Sequence, residues 1–285
     1  MWVLDGFYVF PALFLFILFT YYPFISGIYY SFTDWNGVTA HFTGFKNYID
    51  LFQDRSLIKA AQNTLFISFF GLLIGNPLAF LLALALNRPF KTRNMLRTLF
   101  YLPAIISLVV VSMIWGNILQ YDGAVNTLLN ALGLERFVID WLGNLNTSFY
   151  MLILISVWQG TGYGAVIYLA GLQSIPTELY EAGKIDGAHG WKSLRHITIP
   201  LLMPTVTIVT FLNLVGSLKF FDIPFVLTNG GPGQATSTLA LVIYNFAFRN
   251  GTFGYATAAG LLFMILIVII TSIQLSLTRR REVEL

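Results

Sequence analysis

The stretch T-E-L-Y-E-A-G-K-I-D-G-A-H-G-W-K-S-L-R-H-I-T-I-P-L-L-M-P, Thr177 to Pro204, decides how the rest of the chain is read. It is the longest charged, polar interruption in the second half of an otherwise apolar sequence, and runs long enough to cross a bilayer flank it on both sides. Of 285 residues, 56% are hydrophobic, 16% aromatic and 10% charged. Soluble domains usually carry about 25% charge. So little charge indicates an all-α, polytopic membrane protein, because a lipid-facing surface must be apolar outside as well as at the core. The net charge of +3 gives no sign of a nucleic-acid partner, and without Cys neither a disulfide framework nor a thiolate metal site can form.

Six stretches meet the length of roughly 20 apolar residues that a span requires. They are about Phe7–Phe32, Thr64–Leu86, Leu99–Leu119, Phe149–Leu172, Leu201–Phe221 and Thr257–Leu277. The first lacks a small-residue cleavage site and reads as a retained span. Leu239–Phe248 is too short to cross and follows the turn cluster Thr228–Gly233, which suggests an interfacial or re-entrant helix. Ten basic residues fall on one side: Arg88, Lys91, Arg93 and Arg97; Lys184, Lys192 and Arg195; and Arg279, Arg280 and Arg281. Five fall on the other: Lys46, Arg55, Lys59, Arg136 and Arg249. The positive-inside rule therefore places both termini and the 177–204 stretch in the cytoplasm.

Within that stretch, Pro176 precedes Thr177, an expected N-cap, and Glu178 and Glu181 favour a helix start. Leu179, Ala182, Ile185 and Ala188 recur at three-residue steps and leave one face small and apolar. Gly187 and Gly190 then break the helix, and Trp191–Ile199 is expected to end at Pro200, where the fifth span starts. A helix lying on the membrane surface would pair Lys and Arg with bulky apolar residues. Small residues with Glu181, Lys184 and Asp186 instead suit insertion into a protein groove.

This segment strongly resembles the E-A-A–Gly–I-x-L-P loop of binding-protein-dependent ABC importer permeases, through Glu181, Ala182, Asp186, Gly187, Ala188, Ile197, Pro200 and Pro204. Gly183 departs from the usual second Ala and Ile199 from the usual Leu. Leu227–Pro232, Gly44-Phe45-x-Asn47-Tyr48 and Arg97-x-x-x-Tyr101-Leu102-Pro103 resemble the carbohydrate-importing branch. Where such permeases usually carry a basic stretch before the first span, this chain has only Asp5. The resemblance implies the type I ABC importer permease fold, a single transmembrane permease domain over residues 1–285 with a coupling loop at 177–200. It implies a heterodimer with a second homologous permease, two cytoplasmic ATPase subunits and an extracytoplasmic sugar-binding protein. Cofactors would be absent from this chain, with ATP and Mg held by the partner ATPase. Glu181, Ala182, Asp186, Gly187 and Ala188 would seat the coupling helix in that ATPase.

Polar residues inside spans are costly and are functional candidates by default. Ser156, Gln159, Gly160 and Tyr163 share a helical face in the fourth span, and Asn213, Gly216, Ser217 and Phe220 share one in the fifth. Both spans adjoin the 177–204 stretch. Amide, hydroxyl and aromatic groups together suit a carbohydrate substrate, and W-x-G-x-x-Y, Trp158–Tyr163, resembles the substrate-contacting span of the larger maltose permease subunit. For Gly and Ser the alternative is close helix packing. Lys219 and Asp222 are expected to pair on a helix near the outer surface, and Trp115, Asn117 and Gln120 to line the outer pathway or anchor at the interface.

No P-loop pattern occurs, and His41, His189 and His196 have no metal-site spacing. With no catalytic constellation, the expectation is a non-catalytic sugar-import permease. The alternatives are a permease for a non-sugar solute, or an ion-coupled secondary transporter, which the charge-poor spans disfavour.

Overall fold

A computed structural model describes residues 2–282, with side chains from Val9 onward. The expected start at Phe7 and the side chain of Asp5 lie outside the residues whose side chains are described. In chain order the helices are α1 (Val9–Tyr30), α2 (Lys46–Gln53), α3 (Arg55–Asn87), α4 (Arg93–Ile105), α5 (Leu108–Leu119), α6 (Ala124–Ala131), α7 (Leu145–Ser174), α8 (Thr177–Ile185), α9 (Trp191–Leu218), α10 (Leu239–Arg249) and α11 (Phe253–Arg279). Six helical segments among the described residues are long and apolar enough to cross a membrane: α1, α3, α7, α9, α11 and Leu108–Ala131, which takes in α5 and α6. Strand pairing there amounts to an isolated bridge between Thr33 and Phe42. A helical solution follows from the solvent, since in hydrocarbon a helix satisfies its own backbone polar groups.

Two compact units emerge, residues 1–58 with 239–266, and residues 59–238 with 267–285. In the first, Leu51, Ala258 and Ala259 form a small core. The loop after α1 is held by Asn47, whose Nδ2 donates to the carbonyls of Ser31 and Thr33, each at 2.8 Å. Tyr48 Oη lies 2.7 Å from Ser31 Oγ, and Gly44 turns the chain at φ +61°. The G-F-x-N-Y motif is therefore a clasp on the end of α1. Gly254 admits the Thr33 carbonyl where a Cβ would overlap it.

The second unit has two apolar cores. One gathers Ala79 and Ala83 of α3 with Ala165, Tyr168 and Leu172 of α7 and Leu202 and Val209 of α9. The other gathers Ile67, Val111, Leu152, Ile155 and Ile223. Helix α7 is common to both and seats its neighbours through glycines. A Cβ on Gly162 would overlap the Phe100 carbonyl of α4, one on Gly164 would press on Ala79 of α3, and one on Gly171 would overlap Thr205 of α9. Neighbouring helices approach the α7 backbone this closely only where its own side chains are minimal. The Leu227–Pro232 turn is also built rather than slack. Asn229 is left-handed, Gly231–Pro232 is cis, and Thr236 Oγ1 donates to the Gly231 carbonyl at 2.6 Å.

Four expectations are corrected. The third span, predicted as continuous over Leu99–Leu119, is two helices parted at Ile106 and Ser107, which are extended (ψ 136° and 137°). Pro103 removes one helical hydrogen bond just before the break, and Ser107 stands at the N-cap of α5; the apolar run itself gives no sign of it. Pro200 does not end the segment before it. A π-turn at Leu194–Thr198 carries α9 unbroken from Trp191 through Pro200 to Leu218. The N-cap of α8 is Pro176, and Thr177 is its first helical residue. Lys219 and Asp222 form no ion pair among the described residues, because α9 ends at Leu218 and the helical spacing their pairing needs is lost.

Asn63 of α3, buried, donates Nδ2 to the carbonyls of Gln234 (3.0 Å) and Ser237 (2.9 Å), and so ties the turn region to its helix. Each buried carbonyl left without a donor costs about 1–3 kcal/mol. Asn63→Leu should therefore lower the thermal unfolding midpoint and expose residues 228–238 to protease while membrane insertion is kept. Wild-type protease resistance would show that these two bonds do not hold the turn.

Candidate functional site

All eight residues predicted for the substrate path line one cavity of about 490 Å³ within the second unit. Helix α7 contributes Ser156, Gln159, Gly160 and Tyr163. Helix α9 and the turn after it contribute Asn213, Gly216, Ser217 and Phe220. Three further groups were not predicted: Gly71 and Gly75 of α3, Ala104 of α4, and the broken backbone at Ile106–Leu108. The sequence signals for them are slight, a pair of glycines four apart in α3 and the Pro103/Ser107 punctuation of the third span.

The glycines divide into two kinds. A Cβ on Gly71, Gly75, Gly160 or Gly216 would meet no atom within 4 Å, so these positions enlarge the cavity. Gly162, Gly164 and Gly171 are packing glycines, as above.

Most polar side chains at the cavity are already engaged by the protein. Ser156 Oγ donates to the Ile153 carbonyl at 2.9 Å, Thr161 Oγ1 to Val157 at 2.6 Å, and Ser217 Oγ to Leu214 at 3.0 Å. Asn213 Nδ2 donates to Asn76 Oδ1 at 2.6 Å, and Asn76 Nδ2 to Thr210 Oγ1 at 3.0 Å. That chain fastens α9 to α3. Gln159, 7% exposed, donates Nε2 to the Ile106 carbonyl at 3.3 Å. The Tyr163 hydroxyl has no protein partner among the described residues, and its side chain is 44% exposed. It is the polar group at this cavity most available to a ligand. Trp158 turns to a separate apolar cleft and meets Trp115 edge-on, ring centroids 5.5 Å apart. Asn117 Nδ2 donates to the Met113 carbonyl at 2.8 Å, within its own helix.

The segment predicted to couple lies between α7 and α9. Ser174 ends α7, Ile175 and Pro176 are extended or at the cap, and α8 runs to Ile185. Gly187 (φ +76°) and Gly190 (φ +53°) then reverse the chain into Trp191 of α9. These left-handed values favour glycine because a Cβ would crowd the backbone. No residue of α8 is buried. Glu181, Ala182, Asp186 and Gly187 are exposed and Ala188 half-buried. The apolar positions are exposed too, with Ile185 at 88% and Trp191 at 69%. Gly183 has a packing reason, because a Cβ there would overlap Ile197 Cδ1. Tyr180 Oη, 3.2 Å from Thr198 Oγ1, ties α8 to the start of α9.

Residues 75–283 match the family of binding-protein-dependent transport system inner membrane components. Over 279 residues the chain is 37% identical to the probable starch degradation products transport system permease protein of Thermoanaerobacterium thermosulfurigenes, covering 98% of this chain and 94% of that one. It is 35% identical over 270 residues to the multiple sugar-binding transport system permease protein of Streptococcus mutans, covering 94% and 92%. The fold is similar to a chain in the crystal structure of a bacterial ABC transporter involved in the import of the acidic polysaccharide alginate. There the TM-score is 0.86 at 28% identity, with 98% of this chain and 96% of that one covered. The exposed loop between α7 and α9, the cavity those helices line and these likenesses converge: the chain belongs to the binding-protein-dependent transport system inner membrane component family, a membrane component of ABC importers.

Proposed function

We propose that this chain is a permease subunit of an ATP-driven, binding-protein-dependent sugar importer. One observation carries the reading. The helices that line the cavity, α7 and α9, are joined directly by the exposed α8 segment, so a pull on that segment acts on both cavity walls. The permease names of its relatives in T. thermosulfurigenes and S. mutans support sugar as the cargo class. A second homologous permease completes the pathway as a heterodimer. Two cytoplasmic ATPase subunits bind ATP and Mg and hydrolyse the nucleotide, so this chain is non-catalytic. An extracytoplasmic sugar-binding protein docks on the outer loops, among them Asn229–Gly233. Both termini lie in the cytoplasm, as the ten-to-five basic asymmetry of the loops supports.

The sugar's hydroxyls need hydrogen bonds and its C–H face packs on a ring. Tyr163, with a free hydroxyl and an exposed ring, offers both, and Phe220 adds a second aromatic surface. The four open glycines leave room for the ring. Exposed Ile185, Ala182 and Glu181 enter a groove of the ATPase. Closure of the ATPase pair on ATP displaces α8 and, through it, α7 and α9.

Reconstituted with its binding protein and ATPase, the complex should take up sugar only with ATP. Uptake that followed a proton or sodium gradient without the ATPase would contradict this reading. Tyr163→Ala should raise the half-saturating sugar concentration or abolish uptake, with the complex intact on size-exclusion chromatography. A change in stability alone would return that face to packing. At the coupling segment, Gly187→Arg should insert normally yet lose ATPase association or transport, because a side chain is forced into a left-handed conformation costing about 1–2 kcal/mol and stands in the docking surface. Gly183→Ala should stay within about twofold of wild-type uptake. It gains about 1 kcal/mol of helix propensity against about 0.5–1.5 kcal/mol for displacing the Ile197 side chain.

A further inference from the structure

The break in the third span lies beside the cavity and beside α7. Residues at the end of α4 lose their helical acceptor or donor partners at Ile106–Ser107. In a bilayer such groups are tolerated only where protein or a wet cavity satisfies them. The Ile106 carbonyl is met by Gln159 Nε2, on a side chain that is almost wholly buried. Three residues on, Gly162 lets the α7 backbone rest against the Phe100 carbonyl and the Tyr101 Cα of α4. Two contacts about one turn apart on one helix therefore grip the broken span, one at the break and one on the α4 side of it.

Helix α7 leads within two residues to α8, whereas α4 and α5 have no such link in the chain. A displacement of α8 reaches the broken span only through packing, and the Gln159–Ile106 bond is a polar contact at its break. We infer that Gln159 is a positioning residue, a strut that carries the motion of α7 to the Ile106–Ser107 break and so swings α5, rather than a group that binds cargo. This rests on the import function proposed above only in naming what the motion serves.

Gln159→Leu and Gln159→Met each remove the donor at similar volume. The chain has no Cys, so a pair of spin labels can be placed in one chain, one at exposed Met113 on α5 and one at exposed Tyr150 on α7. In the assembled complex, the label distance should shift between nucleotide-free and ATP-bound states, and that shift should be lost or smeared in both Gln159 variants. Maximal uptake should fall about tenfold, the scale of one lost buried hydrogen bond, with the half-saturating sugar concentration unchanged. A raised half-saturation with an intact distance shift would overturn the strut and make Gln159 a cargo contact. Wild-type distances and uptake in either variant that assembles would also overturn it. Failure of the wild-type complex to import sugar would strike the functional reading alone, since the label distances are read without sugar.

Discussion

A backbone in hydrocarbon has no water to turn to, and the way this chain meets that demand around α7 sets nearly everything else. Each helix satisfies its own ladder, so what remains to be settled is how helices touch. Apolar side chains gain little by leaving lipid for one another, so close van der Waals fit must do the holding. Gly162 supplies that fit against the α4 backbone at Phe100, and Gly164 and Gly171 supply it by seating the Ala79 side chain of α3 and the Thr205 side chain of α9. Where a helix does break, at Ile106–Ser107, a side chain from α7 comes to meet the freed carbonyl. Helix α7 is thus at once the packing centre, one wall of the cavity and the element that leads into α8.

The cavity owes its character to what is left over after these needs are met. Ser156, Thr161 and Ser217 turn back on their own helices, and Asn213 is held by Asn76. The walls are therefore neutral, lightly polar and partly built of bare glycine backbone. Such a surface offers an uncharged polyhydroxylated solute a few hydrogen bonds and an aromatic face without holding it tightly. The exposed α8 segment has the opposite character. Its apolar residues stand in the open, with charges beside them.

Much of this was legible beforehand. The helical faces of the fourth and fifth spans follow from spacing alone, and their eight candidate residues do meet at one cavity. The α8 segment announced itself by its polarity and its paired glycines, whose left-handed angles give a physical reason for Gly187 and Gly190. Hydropathy could not show the break in the third span, because I-I-S-L-V-V-V is apolar but for Ser107, and a helix and a bend bury it equally well. Nor could it show that Pro200 is bridged by a π-turn, since the compensation lies in the backbone rather than in residue type. Gly160 and Gly162 are alike in sequence and opposite in role; only their neighbours, none and Phe100, tell them apart. Asn76 carries no signal of its own in the sequence, because its worth comes from Asn213, distant in the chain.

The central claim is that motion enters at α8 and reaches the cavity through α7 and α9. A photo-crosslinking residue at Ile185, placed in the assembled complex and irradiated with and without ATP, tests it most directly. The account predicts adducts to the ATPase subunit whose yield changes with nucleotide. Adducts to lipid alone, in a complex that still hydrolyses ATP and imports sugar, would contradict it.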